Sequence, residues 1–328
     1  MGALRLNFAK MMVRSLLFAL AFAVAGPALA QSYPTKPIRI VVGYPPGGSG
    51  DFTTRIIADE IGKELQASLI VENKPGAGGS IASEFVAKAA PDGYTLLNQG
   101  NHAINKGLYK NLAYDDKDFI PICRVAVGTT ILVVSSNSQF NSARELIAFA
   151  KANPGKLFSA SAGFGSAPHL ASVGFETAAG VKFTTIQFKG GGPASQSLLA
   201  GDTQVMFATS PTVMGFIRGG RMRPLLVTLP KGSPSIPGIP GGDEAGVPGF
   251  ESTFWFGLYA PAGTPMEVVR RLHAAAAKGL AKQEVRDKIA QQGMDASPSA
   301  SPEAFAAEIR AEAPMWERVI RESGAKVD

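Results

Sequence analysis

The sequence predicts an α/β fold of two lobes, each a mainly parallel sheet flanked by helices, joined by a double crossover. Three observations predict it. Short β-branched runs alternate with segments of helical apolar spacing across glycine-rich loops, the pattern of a parallel sheet with right-handed crossovers. The alternation starts afresh near Thr129, and after a last strand near Trp255 the remaining chain is helical. If those last helices return to the first lobe, the chain crosses between lobes twice, near Thr129 and near Trp255. Two crossings make a hinge over a cleft. The boundaries are then 1–30 for a leader, 31–130 with 254–328 for the first lobe, and 131–253 for the second.

In the first lobe, Pro37 to Gly43 is a β-branched run of the kind buried in a parallel sheet. Ile56, Ile57, Ile61 and Leu65 then fall at helical spacing. Ser68 to Asn73 makes the next strand, and a helix follows with Ile81, Phe85 and Ala89 on one face. Gly93 to Asn98 makes the third strand. The second lobe opens on the buried strand Thr129 to Ser138 and a helix with a capping box at Ser142 and Glu145, ended by Gly155. Further strands are expected at Leu157 to Ala160, Phe183 to Gln187, Gln204 to Ala208 and Pro224 to Thr228. Leu229 to Phe250 holds too many prolines and glycines for a regular element and reads as an ordered surface loop. Ser252 to Pro261 returns as a strand. Thr264 to Glu267 forms a capping box with proline at N1, and Ser301 opens the last helix, which Pro314 kinks and Gly324 ends.

The first thirty residues differ from the rest. Arg5, Lys10 and Arg14 precede the apolar run Leu16 to Ala25, and Ala28-Leu29-Ala30 supplies small residues, the pattern of a secretory signal cleaved after Ala30. The apolar run is about ten residues, short of the ~20 that span a bilayer. Gln31 at the new terminus is not cysteine, so no lipid anchor is indicated, and the mature chain is expected outside the inner membrane. Losing those three cations lowers the net charge from +6 to +3, which gives no reason to expect a nucleic-acid partner. With 1 cysteine, Cys123, an intrachain disulfide is impossible. His102, His169 and His273 lie far apart without metal-ligand spacing, so no metal and no cofactor are expected.

The turns Gly43 to Asp51, Asn73 to Ser80 and Ser161 to Pro168 each join a strand's C-terminal end to a helix start, the edge where open α/β sheets bind ligands. Free N–H groups and the helix dipole favour an anion there, and glycine lets a ligand approach the backbone. The chain lacks a P-loop, the run Gly47 to Phe52 does not fit G-x-G-x-x-G, and no lysine or arginine lies inside the first turn. A small carboxylate therefore suits these turns better than a polyphosphate. Single turns of this kind also occur as simple helix entries, with Ser49 or Asp51 as a cap. No G-x-S-x-G elbow is present, and Ser166 with His169 has no nearby acid, so catalytic residues are not expected. The alternatives are an exported hydrolase using Ser166 or Ser49, and a ligand-responsive sensor.

An ordered set of motifs runs along the mature chain: YPTKPIRIVVGYPPGGSGD, VENKPGAGGSIASEFVAKAAPDGYTLL, NHAINKGLYKNLAYDDKDFIPI, SAGFGSAPHLA, FKGGGPASQSLLAGDTQVMF and FWFGLYAPAGTP. In this set the chain resembles the Bug-type solute receptors of tripartite tricarboxylate transporters. The resemblance implies a type II periplasmic binding protein, a monomer that closes over a small carboxylate and hands it to inner-membrane tripartite permease subunits. It implies a ligand held by Tyr44, Pro46, Gly47, Gly48, Ser49 and Asp51 of the first lobe. Opposite them it implies Ser161, Ala162, Gly163, Phe164, Gly165, Ser166, Lys189, Gly190 and Thr209. The chain departs from the family pattern at Ala208 to Ser210, where many members carry an acid, and at Phe164. The missing acid removes a partner for an ammonium group. Phe164, Phe188 and Trp255 can stack on an aromatic body. Both departures favour an aromatic or aliphatic mono- or dicarboxylate.

Overall fold

A computed structural model describes residues 33–100 and 102–323. The leader assigned to residues 1–30 and the helix stop at Gly324 lie outside them. The chain runs β1 (Ile38–Val42), α1 (Ser49–Leu65), β2 (Leu69–Asn73), α2 (Ser80–Ala87), β3 (Thr95–Gln99), α3 (His102–Leu108) and β4 (Phe119–Ser135). It continues with α4 (Ala143–Ala152), β5 (Phe158–Ser161), α5 (Ala167–Ala179), β6 (Thr184–Gln187), α6 (Gly191–Ala200), β7 (Val205–Thr209), α7 (Ser210–Arg218) and β8 (Met222–Val227). It ends with α8 (Gly242–Ala245), β9 (Thr253–Pro261), α9 (Met266–Ala281), α10 (Gln283–Ala290), β10 (Met294–Ala296) and α11 (Pro302–Ser323).

The strand order is β2-β1-β3-β9-β4-β7-β5-β6, with β8 and β10 also paired to β4. The expected parallel units are β2-β1-β3 and β7-β5-β6. Between them the long strands β4 and β9 run antiparallel to each other and to their outer neighbours, so the sheet is mixed. The first part of β4, Phe119 to Thr129, pairs with β9, and Thr130 onward pairs with β7 and β8. Along that second part alternate side chains serve opposite faces. Ile131 and Val133 pack with Met206, Ala208 and Val227, whereas Leu132 and Val134 pack with Leu146, Phe175 and Phe207. Because both faces are covered, the strand reads as an unbroken apolar run. A third cluster gathers Val41, Leu97, Phe119, Trp255, Tyr259 and Phe305.

Local chemistry sets the element ends. Ser142 Oγ accepts from Glu145 N (3.2 Å), and Ser301 Oγ from Ala304 N (3.0 Å). Thr264 does not cap α9: its hydroxyl donates to Pro261 O (2.8 Å) and Pro265 takes the N-cap position, one residue later than the motif suggests. The stretch Leu229 to Phe250 is ordered by α8, whose Glu244 carboxylate accepts from Gly241 N (2.9 Å). On α2 the face holding Ile81 and Phe85 is exposed, while Ala82, Ser83 and Val86 are buried. Arg39 and Lys74 cover the Phe85 ring at 5.0 and 4.5 Å from its centroid. The helix α11 continues through Pro314. Among the described residues no helix is long and apolar enough to cross a membrane.

Parallel strands followed by helices bring the helix N-termini to one edge of the sheet. The chain from Lys36 onward clusters as one compact unit by its contacts, and the cavity described next lies within it.

Candidate functional site

A cavity with room for water centres of about 130 Å³ opens at that edge. Gly48, Ser166, Gly190 and Thr209, the N-cap residues of α1, α5, α6 and α7, all line it. No side chain caps the N-termini at Gly48, Gly190 or Thr209. Each helix start presents N–H groups without an intrahelical partner and about half a positive charge. Hydroxyls of Ser49, Ser166, Thr209 and Thr212 and the amides of Gln99 and Asn105 join them. Tyr44, Phe254, Trp255, Phe256 and Trp316 supply aromatic walls. Among the described residues lining the cavity none is Lys, Arg, Asp, Glu or His. Such a site stabilises a negative charge by dipoles and hydrogen bonds, and its described lining holds no carboxylate to pair with a cation.

Tyr44 stands edge-on to Phe256 with ring centroids 5.3 Å apart. Burial pushes its phenol up to about 12, so it serves as a neutral hydrogen-bonding wall. Glycine at position 50 makes room for it, since a Cβ there would stand 2.4 Å from Tyr44 Cδ2. Across the cavity, Ser49 Oγ donates to Thr209 Oγ1 (3.3 Å), and Thr209 Oγ1 also bonds Thr212 Oγ1 (2.8 Å). Ser166 Oγ donates to Gly163 O (2.7 Å), which commits its proton to a carbonyl. His169 Nδ1 accepts from Gly165 N (3.4 Å), and burial holds this imidazole below its ordinary pKa and therefore neutral.

Of the residues singled out in the sequence, Tyr44, Gly48, Ser49, Ala162, Gly165, Ser166, Gly190 and Thr209 line the cavity. Pro46, Gly47, Phe164 and Lys189 are exposed beside it, and Gly163 is half-buried. Ser161 is buried at the end of β5. The Asp51 carboxylate is spent within the fold, accepting from Gly47 N (2.9 Å), Asn73 Nδ2 (2.9 Å) and Arg55 Nε (3.0 Å). Phe188 packs on the core below β4, and Phe164 lies against the His169 ring (5.1 Å), so of the three proposed stacking rings Trp255 alone lines the cavity. Ala208 lines the cavity too.

Sequence reasoning pointed to the turn that holds Gly78 without naming that residue, and it missed Gln99, Gly100, Asn105, Gly191, Met206, Thr212, Phe254, Phe256 and Trp316. Gln99 and Gly100 had a signal, since they end the parallel strand β3. Trp316 had none: it sits far along the C-terminal helix.

Comparison with known proteins places the chain in a family. Residues 53–325 match the family model of the tripartite tricarboxylate transporter family receptor. The chain is 34% identical over 309 residues to protein BugT of Bordetella pertussis, covering 93% of this chain and 94% of BugT. It resembles the R. palustris Rpa4515 structure with adipate (TM-score 0.86, 31% identity, 90% of this chain and 100% of that one). It also resembles MatC of Rhodopseudomonas palustris with bound malate (TM-score 0.81, 29% identity, 88% and 100%). The chain therefore belongs to the receptors of the tripartite tricarboxylate transporter family, with the α/β fold of the periplasmic binding proteins.

Proposed function

We propose that this receptor captures a small mono- or dicarboxylate, aliphatic or aromatic, in the cavity between two lobes, acts as a monomer in the periplasm, and delivers its cargo to inner-membrane permease subunits. One observation carries the reading: N-caps of several helices converge on a cavity whose described lining holds no formal charge. A carboxylate gains about 1.5–3 kcal/mol from each hydrogen bond to uncharged donors. A few such bonds, less the entropy of association, reach micromolar affinity, about −8 kcal/mol. The absence of an acid at Ala208 to Ser210 disfavours an amino acid, whose ammonium would lose its hydration without return. The relatives with adipate and with malate support the ligand class. Binding without catalysis fits Ser166, whose proton is directed to Gly163 O and away from His169.

The lobes we assign are 31–130 with 254–328, and 131–253. The passage of β4 from one set of strands to the other at Thr129–Thr130 supports this division. Export follows from cleavage of the leader after Ala30. The test is thermal melting of the mature protein against a panel of carboxylates and size-matched amino acids. Ligand at about 100 times its Kd stabilises by ~2.7 kcal/mol. We expect a rise in Tm with at least one carboxylate. No shift with any carboxylate, or a larger one with amino acids, overturns the reading.

A further inference from the structure

We infer that Trp316 is the specificity-determining end wall of the ligand cavity: its ring limits ligand length, and its indole N–H selects for a second acceptor at the ligand's far end. This rests on the carboxylate-receptor reading above. Trp316 belongs to two cavities at once. It lines the ligand cavity, and it also lines a separate groove with room for water centres of about 350 Å³. No other described residue lines both. That groove is walled by Leu170, Val173 and Gly174 of α5, Phe250, and Met315 of α11. Trp316 thus stands between a polar-ended cavity and a groove lined by these apolar side chains together with Thr177, Glu251, Ser252 and Thr253. Trp316 is 7% exposed and packs against Leu108, Leu170 and Ile320, so the partition is held by α3, α5 and α11 together.

The two tryptophans of the chain both line the cavity, and they differ in one respect. Trp255 Nε1 donates to Glu312 Oε2 (2.8 Å), one helical turn before Trp316 on α11. Trp316 Nε1 is buried without a partner. A buried indole N–H nearly always finds an acceptor, and leaving one unmade costs free energy. At the wall of an anion cavity the acceptor that fits is a second carboxylate. The first carboxylate sits at the helix N-termini, and the methylenes between lie along Phe254 and Phe256.

The experiment titrates linear dicarboxylates from succinate to sebacate, and monocarboxylates of matching length, into the wild type, Trp316→Ala and Trp316→Phe, by calorimetry. In the wild type, each methylene buried before the wall strengthens binding, up to about fourfold. Affinity then falls at least about tenfold once the chain meets the ring. In Trp316→Ala the cavity joins the groove, and the cut-off moves to longer chains. In Trp316→Phe the cut-off stays within one methylene of the wild type, while the advantage of dicarboxylates over monocarboxylates shrinks about tenfold. A purely structural role would weaken every length by one factor. An unmoved cut-off in Trp316→Ala, or uniform weakening in both variants, overturns the inference while leaving the carboxylate reading intact. If Trp316→Ala does not fold, Trp316→Leu takes its place with a smaller shift expected. No binding of any carboxylate by the wild type overturns both.

Discussion

At the start of α1, Gly48 and Asp51 divide the work of a helix entry. Gly48 has φ −77°, a value any residue adopts, so its conformation does not demand glycine. A Cβ there would stand 3.2 Å from Pro45 O, and a longer side chain would crowd the cavity edge, so glycine serves access to the backbone N–H groups. Gly190 differs, since its φ of +116° favours glycine outright. Asp51 keeps the entry in shape. Burial alone would raise its pKa, but the hydrogen bonds from Arg55, Gly47 N and Asn73 outweigh it and hold the carboxyl below its ordinary range. A carboxyl lowered in the fold contributes stability that is present above its unfolded value, near ~3.9, and is lost as pH falls through the folded value. Asp51→Asn is therefore expected to lose about 1–3 kcal/mol in urea unfolding at neutral pH. The difference from the wild type should shrink as pH drops below about 4. A gap that ignores pH would show that shape, not charge, anchors the turn. The sequence exposes Asp51 as a helix-entry residue, whereas the commitment of its carboxylate depends on Asn73 from a neighbouring strand and is not local information.

The elements divide in the same way. The strands β1, β2, β3, β5, β6 and β7 are legible because each is a local run between turn residues, and their helices carry their own period. The first part of β4 escapes notice: it contains Pro121, shifts register twice against β9, and gains its partner from a strand more than a hundred residues away. The face of α2 was likewise misplaced, because Phe85 is covered by cations instead of core and Ile81 is exposed. Where β4 passes from one group of strands to the other, Thr228 ties the junction. Its Oγ1 accepts from Thr130 N (3.1 Å), lies 2.8 Å from Thr129 Oγ1, and donates to Ser252 O (2.5 Å) just before β9. One fully buried hydroxyl thus fastens this point of β4 to the chain entering β9. Thr228→Val keeps the volume and removes the hydroxyl, leaving Thr130 N and Ser252 O without it. We expect about 1–3 kcal/mol of lost stability, with faster hydrogen exchange at the Thr130 amide than elsewhere in β4. Unchanged exchange there would show that the strand ladder alone holds the junction.

For the molecule as a whole, the turns at the two sides of the cavity touch. Ser49 reaches Thr209, and Gly190 lies close enough to Pro45 that a Cβ on it would be 3.2 Å from Pro45 Cγ. Gly78 stands near Phe164 O in the same sense, 3.6 Å from its own built Cβ. Each pair joins segments far apart in sequence, which is why the glycine turns were legible one by one while the walls supplied by β9 and α11 were not. If the lobes proposed above hinge about the Thr228 junction, these contacts are the jaws, and ligand exchange requires them to part. The double variant Ser49→Cys, Thr209→Cys places two thiols where the hydroxyl oxygens are 3.3 Å apart, within a small adjustment of disulfide geometry. The native Cys123 does not interfere: it is fully buried, and burial pushes its thiol up to about 11, leaving little thiolate at neutral pH. Oxidation with ligand bound is expected to trap the carboxylate through dialysis, and reduction to release it. Oxidation of the empty variant should abolish the ligand-induced change in tryptophan fluorescence from Trp255 and Trp316. A disulfide that forms quantitatively yet leaves exchange at the wild-type rate would place the entrance elsewhere, and the jaws described here would then be fixed walls.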